Sequence, residues 1–66
     1  MNVTINGDRH EFADGATLAD LVAAHLPTDR GVAAAVDGEV APRTTWATVV
    51  LRDGQAVELL TAVQGG

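Results

Sequence analysis

The apolar residues of this chain recur at every second position, then at helical spacing, then at every second position again. That succession admits few folds: strands, one helix, strands. In "MNVTIN", Met1, Val3 and Ile5 fall on one face, as in a half-buried strand. Asn6-Gly7 follows, and Asn-Gly between alternating runs is the strongest short hairpin signal. "RHEFA" then reads as a second strand, with His10 and Phe12 on one side.

The period changes in "DGATLADLVAAHLP", where Leu18, Leu21, Val22, His25 and Leu26 recur at helical spacing. Thr17 suits the N-cap, and Asp20 stands where a capping-box acid reaches back. Pro27 closes the segment, because the residue before a proline resists the helical region. The spacing predicts a helix over 18–26. "VAAAVDGEVAPR" reads as strand, Asp-Gly turn, strand, with Val32, Ala34 and Val36 on one side. Pro42 cannot donate to a ladder, so that short strand belongs at an edge or ends there. "TTWATVVL" reads as a turn holding Trp46, then a short extended piece. After the turn at Asp53-Gly54, "AVELLTAV" is the last strand, with Val57, Leu59, Thr61 and Val63 on one face.

The expected class is α+β: a sheet of four to five strands built from hairpins, with one helix packed on one face. A helix with a single apolar stripe covers one sheet face and leaves the other for solvent or a partner. The 66 residues make one domain, and 47% of them are hydrophobic, enough for one small core. Phe12 and Trp46 are the only aromatics apart from the histidines, so Val, Leu, Ile and Ala must fill that core.

Composition also excludes functions. Without cysteine there is no disulfide, thiol catalysis or cysteine-ligated zinc. A formal net charge of -5 opposes nucleic-acid binding, which needs a basic surface, and favours a neutral or basic partner. The cations are Arg9, Arg30, Arg43 and Arg52, with no lysine. No stretch approaches the roughly 18 apolar residues of a membrane span. The first ten residues lack a basic start and an apolar run, so no export signal is expected. The cytoplasm is the expected location.

Side-chain chemistry is sparse. His10 and His25 have no second ligand at metal spacing. The glycines are mostly isolated in turns and form no phosphate cradle. Most aspartates also stand in turns, which explains them without acid–base catalysis. Trp46 has two readings, the largest core plug or an interface anchor of the kind enriched at hot spots. Arg43 reads as a solvated rim residue. An enzyme is not expected.

"QGG" at 64–66 also has two readings, a frayed or truncated end or a flexible tail made for threading. Without side chains, Gly65 and Gly66 can enter a channel too narrow for a Cβ, and glycine bends wherever the channel requires. The carboxylate of Gly66 is then the reactive group, and another protein must activate it.

The stretch "APRTTWATVVLRDGQAVELLTAVQGG" carries a family likeness. Pro42, Arg43 and Trp46 match a P-R-x-x-W pattern, Asp53-Gly54 a D-G turn, Val57 a strand position, and Gly65-Gly66 a terminal pair. With the N-G hairpin and the "TLADL" helix, the chain resembles the ThiS family over nearly its whole length. These are small β-grasp (ubiquitin-like) sulfur carriers of thiamin biosynthesis. The resemblance implies a single β-grasp domain over 1–66 with a flexible tail at 64–66. It implies that a ThiF-like enzyme, using ATP and Mg, adenylates the Gly66 carboxylate. A persulfide sulfur on a donor protein then displaces AMP, and the resulting thiocarboxylate delivers sulfur to thiazole synthase. The carrier itself binds no cofactor or metal. The expected partner surface comprises Leu59, Leu60 and Val63 with Arg43 and Trp46, and Gln64 and Gly65 belong to the tail. Relatives carry bulkier residues in the last strand; here Leu59, Leu60 and Ala33 to Ala35 do the filling, which flattens the docking face. Two alternatives use the same fold: a carrier for molybdopterin or cysteine synthesis, and a ubiquitin-like modifier or binding module.

Overall fold

The computed structural model describes residues 1–62. Its elements are β1 (Asn2–Ile5), β2 (Asp8–Glu11), α1 (Leu18–His25), β3 (Val32–Val36), β4 (Glu39–Ala41), a 3₁₀ helix (Arg43–Thr48) and β5 (Ala56–Thr61). The five strands form one mixed sheet in the order β2-β1-β5-β3-β4. The last strand is therefore central. It runs parallel to β1 and antiparallel to β3. With one helix on one face, this is the β-grasp arrangement expected.

Both hairpins follow from their turn residues. Asn6 and Gly7 have φ of 50° and 89°, and Asp37 and Gly38 have 50° and 84°. Two successive positive φ values define the type I′ turn, whose twist matches that of paired strands. Each turn fixes a register: Ile5 opposes Asp8, and Val36 opposes Glu39. β4 is an edge strand and ends at Ala41, immediately before Pro42, as the missing proline N–H requires.

The start of α1 is a complete capping box. Thr17 Oγ1 accepts from the Asp20 N–H at 3.2 Å, and Asp20 Oδ2 accepts from the Thr17 N–H at 2.9 Å. The helix ends at His25, one residue short of the expected Leu26. Leu26 is already extended, with ψ of 145°, because Pro27 excludes the helical region there. Its N–H still reaches Val22 O at 2.9 Å.

The core lies between α1 and one sheet face. Val3 and Ile5 of β1, Leu18, Leu21 and Val22 of α1, Ala34 of β3, and Val57 and Leu59 of β5 are buried there, with Trp46 and Leu51. Each fully buried large apolar side chain contributes about 1.5–3 kcal/mol. Residues 43–48 form the 3₁₀ helix where a simple turn was expected. Two threonines hold it locally: Thr45 Oγ1 donates to Pro42 O at 2.7 Å and Thr48 Oγ1 to Thr45 O at 2.8 Å. The short extended piece after it is a single bridge between Val50 and Thr17. The strand expected from 56 to 63 is observed as Ala56–Thr61, and Val63 lies outside the described residues.

Candidate functional site

The expected reactive end, Gly66, and the tail residues Gln64 and Gly65 lie outside the described residues. What the fold shows is the strand that leads to them and the surface beside it. β5 alternates strictly. Val57 and Leu59 point into the core, while Ala56, Glu58 and Leu60 are exposed. Leu59 was expected on the partner surface. It is 7% exposed and packs beneath the sheet, so its side chain offers nothing to a partner. Leu60 is 72% exposed, on the face that α1 leaves open.

That open face has a defined apolar patch. The register sets Ala33 against Leu60 and Ala35 against Glu58, and places Val40 of β4 beside Ala35. Val40 is 75% exposed. Together with Asn6, these residues line a shallow groove of about 240 Å³. The small side chains at 33 and 35 make its floor, and Leu60 and Val40 its apolar shoulders. Glu58 is the one charged group among the lining residues, which suits a neutral or basic partner.

Ala33 and Ala35 were expected to fill a flattened docking face and do line the groove, whereas Val40 was not singled out in the sequence. The signal was present: once Ala34 faces inward, its neighbours on the strand must face outward, and so must Val40 opposite Ala35.

The other two residues expected on the partner surface lie elsewhere. Trp46 is 3% exposed, and its Nε1–H donates to Ala41 O at 2.7 Å. It is a core plug rather than an interface anchor, because the 3₁₀ helix turns its ring under α1. Arg43 is an exposed rim residue. Its Nη1 stands 3.7 Å from Asp29 Oδ1, with both side chains more than half exposed. An ion pair of that kind contributes about 0–1 kcal/mol. A second groove, of about 390 Å³, runs between α1 and Trp46, away from the patch around Leu60.

The histidines meet although they are far apart in sequence. The rings of His10 and His25 are perpendicular, with centroids 4.5 Å apart, joining β2 to the end of the helix. Among the described residues, no three His, Asp or Glu side chains are grouped to hold a metal ion. No helix among them is long and apolar enough to cross a membrane.

Side chains from both hairpin turns hold β5 in place. At its start, the Asp37 N–H donates to Ala56 O at 2.7 Å, and Asp37 Oδ1 accepts from the Ala56 N–H at 2.9 Å. Farther along, the Asn6 N–H donates to Val57 O at 2.9 Å. The Asn6 carboxamide then pairs with both backbone groups of Leu59: Oδ1 accepts from the N–H at 2.9 Å, and Nδ2 donates to the C=O at 3.1 Å. At the strand's end, the Ala62 N–H bonds to Gly31 O at 2.8 Å.

Comparison with known proteins agrees with this architecture. The model of the ThiS family matches residues 3–66. The chain is 27% identical over 66 residues to the sulfur carrier protein ThiS of Escherichia coli (strain K12), covering all of both chains. Its fold superposes on the crystal structure of the thiamine biosynthesis protein ThiS from Geobacter metallireducens with a TM-score of 0.83. That match has 30% identity and covers all of both chains. For the solution structure of a thiamine biosynthesis protein from the same organism, the TM-score is 0.81 at 30% identity. It covers all of this chain and 88% of the other.

Proposed function

The chain belongs to the ThiS family, and from that premise we propose that it is a sulfur carrier for thiamin biosynthesis whose working group is the Gly66 carboxylate. The observation that carries this reading is the family match, which runs through residue 66 and so includes the Gly65-Gly66 pair. The composition is consistent with it. The chain has no cysteine, so sulfur carried by it cannot ride on a side-chain thiol. The fold acts as a handle, and the reaction takes place at the tail in a partner's site.

The steps follow from carboxylate chemistry. A Gly66 carboxylate oxygen attacks the α-phosphorus of ATP on a ThiF-like enzyme, and pyrophosphate leaves. ATP and its Mg²⁺ belong to that enzyme. The acyl adenylate is a good electrophile. The terminal sulfur of a donor persulfide attacks its carbonyl carbon and expels AMP, and a thiol of the donor side cleaves the resulting S–S bond. The carrier leaves with a terminal thiocarboxylate, which a thiazole synthase takes as its sulfur source. The partner face of the carrier is the open sheet face around Leu60, Val40, Ala33 and Ala35. Val63 is assigned to the same docking region because it lies between Leu60 and the glycines. Arg43 is assigned to the rim.

Adenylation gives a direct test. With the activating enzyme, the full chain should support exchange of labelled pyrophosphate into ATP. A chain lacking Gly66 should support none while melting at the same temperature. Equal exchange by the two chains would remove Gly66 from the mechanism.

A further inference from the structure

We infer that Asn6 is a positioning residue for the transfer reaction: its carboxamide clamps Leu59 and thereby fixes the direction in which β5 delivers the C-terminal tail. The inference rests on the carrier reading above. The geometry begins with a mismatch in strand length. β1 ends at Ile5, where the chain turns into the first hairpin, but β5 continues to Thr61. The ladder between them therefore runs out at Val57 O, which takes the Asn6 N–H. Two residues on, the Leu59 N–H and C=O point to the same side and have no strand to meet. The Asn6 carboxamide supplies a donor and an acceptor there, in the manner of one more peptide unit.

The side-chain chemistry at the two turns differs as this role requires. At Asp37 the backbone N–H donates to β5, so the side chain need only accept, and a carboxylate suffices. The Asn6 N–H is committed to Val57 O. Its side chain must then both donate to Leu59 O and accept from Leu59 N–H, which a carboxamide can do and a carboxylate cannot. The left-handed backbone at Asn6, with φ of 50°, aims the carboxamide across to β5. Leu59 lies seven residues before Gly66 and, among the described residues, is the last point at which the β1 side of the sheet holds this strand. Without the carboxamide, β5 beyond Val57 is held on its β3 side alone, and a tail launched from it reaches the partner's site in more orientations. Misplacement by about 1 Å costs roughly a hundredfold in rate.

Two variants separate positioning from turn formation. Asn6→Gly keeps the type I′ turn and removes the carboxamide. Asn6→Asp keeps the size and the backbone preference but sets an oxygen against Leu59 O. The protein is assayed whole, with the activating enzyme and ATP, by turnover of adenylation and by amide exchange at Leu59. For both variants the maximal turnover, read at saturating carrier, should fall roughly tenfold to a hundredfold, by more than any rise in the half-saturating concentration, with the Leu59 amide exchanging faster. Turnover equal to wild type with a faster Leu59 amide would overturn the inference, since the clamp would then be structural only. A turnover loss without faster Leu59 exchange would overturn it as well. If the wild-type chain itself supports no adenylation, the carrier reading fails first and the positioning role falls with it.

Discussion

Replacing Trp46 by Phe distinguishes a core plug from an interface anchor. The ring is 3% exposed, and its Nε1–H is bonded to Ala41 O at 2.7 Å. Phenylalanine cannot make that bond, a loss of about 0.5–1.5 kcal/mol. The space left by the missing pyrrole ring adds about 0.5–1.5 kcal/mol, the scale of a small core truncation. The sum is about 1–3 kcal/mol. A chain of this length has a total stability of about 3–10 kcal/mol, so at the middle of both ranges the variant stays mostly folded in the cold. In a domain this small each kcal/mol moves the melting midpoint by roughly 4–8 °C. Far-UV circular dichroism should therefore show a fall of about 5–20 °C. Half-saturation of the activating enzyme, measured at about 15 °C, near maximum stability, should stay within twofold. An unchanged midpoint with a tenfold weaker half-saturation would refute the core assignment and return Trp46 to the partner surface.

The remaining expectations concern the patch, the helix start and the tail. Leu60→Asp should leave the unfolding free energy within about 0.5 kcal/mol of wild type and raise the half-saturating concentration at the activating enzyme about tenfold or more, as for a hot-spot residue; unchanged half-saturation would move the docking face elsewhere. Asp20→Ala removes the bond to the Thr17 N–H and should cost about 0.5–2 kcal/mol or less in urea denaturation; an unaltered midpoint would mean the capping box adds nothing. Gly65→Val should keep the wild-type melting temperature and lose adenylation, and normal turnover would show that the partner's channel admits a Cβ.

Local signals in the sequence identified the local structure. Asn6-Gly7 and Asp37-Gly38 set two hairpins, Thr17 and Asp20 the helix start, and Pro42 the end of an edge strand, because each acts through its own backbone neighbours. The candidate surface was harder to read. Leu59 and Leu60 are adjacent on a strand and must face opposite ways, and the sheet order decides which one the helix covers. Trp46 stands among β-branched residues with no clear period. Its burial depends on a 3₁₀ helix closed by threonine hydroxyls, which hydropathy does not reveal. The contact of His10 with His25 and the clamp from Asn6 to Leu59 join residues 15 and 53 positions apart. No local pattern encodes such pairs.

The central claim is that sulfur rides on the last carboxylate of this chain. The most direct test is the intact mass of the protein after incubation with its activating enzyme, ATP and a persulfide donor, followed by fragmentation to place the change. A gain equal to sulfur minus oxygen, confined to Gly66, is the expected result. An unchanged mass, or linkage of the chain to lysines of other proteins, would contradict the account.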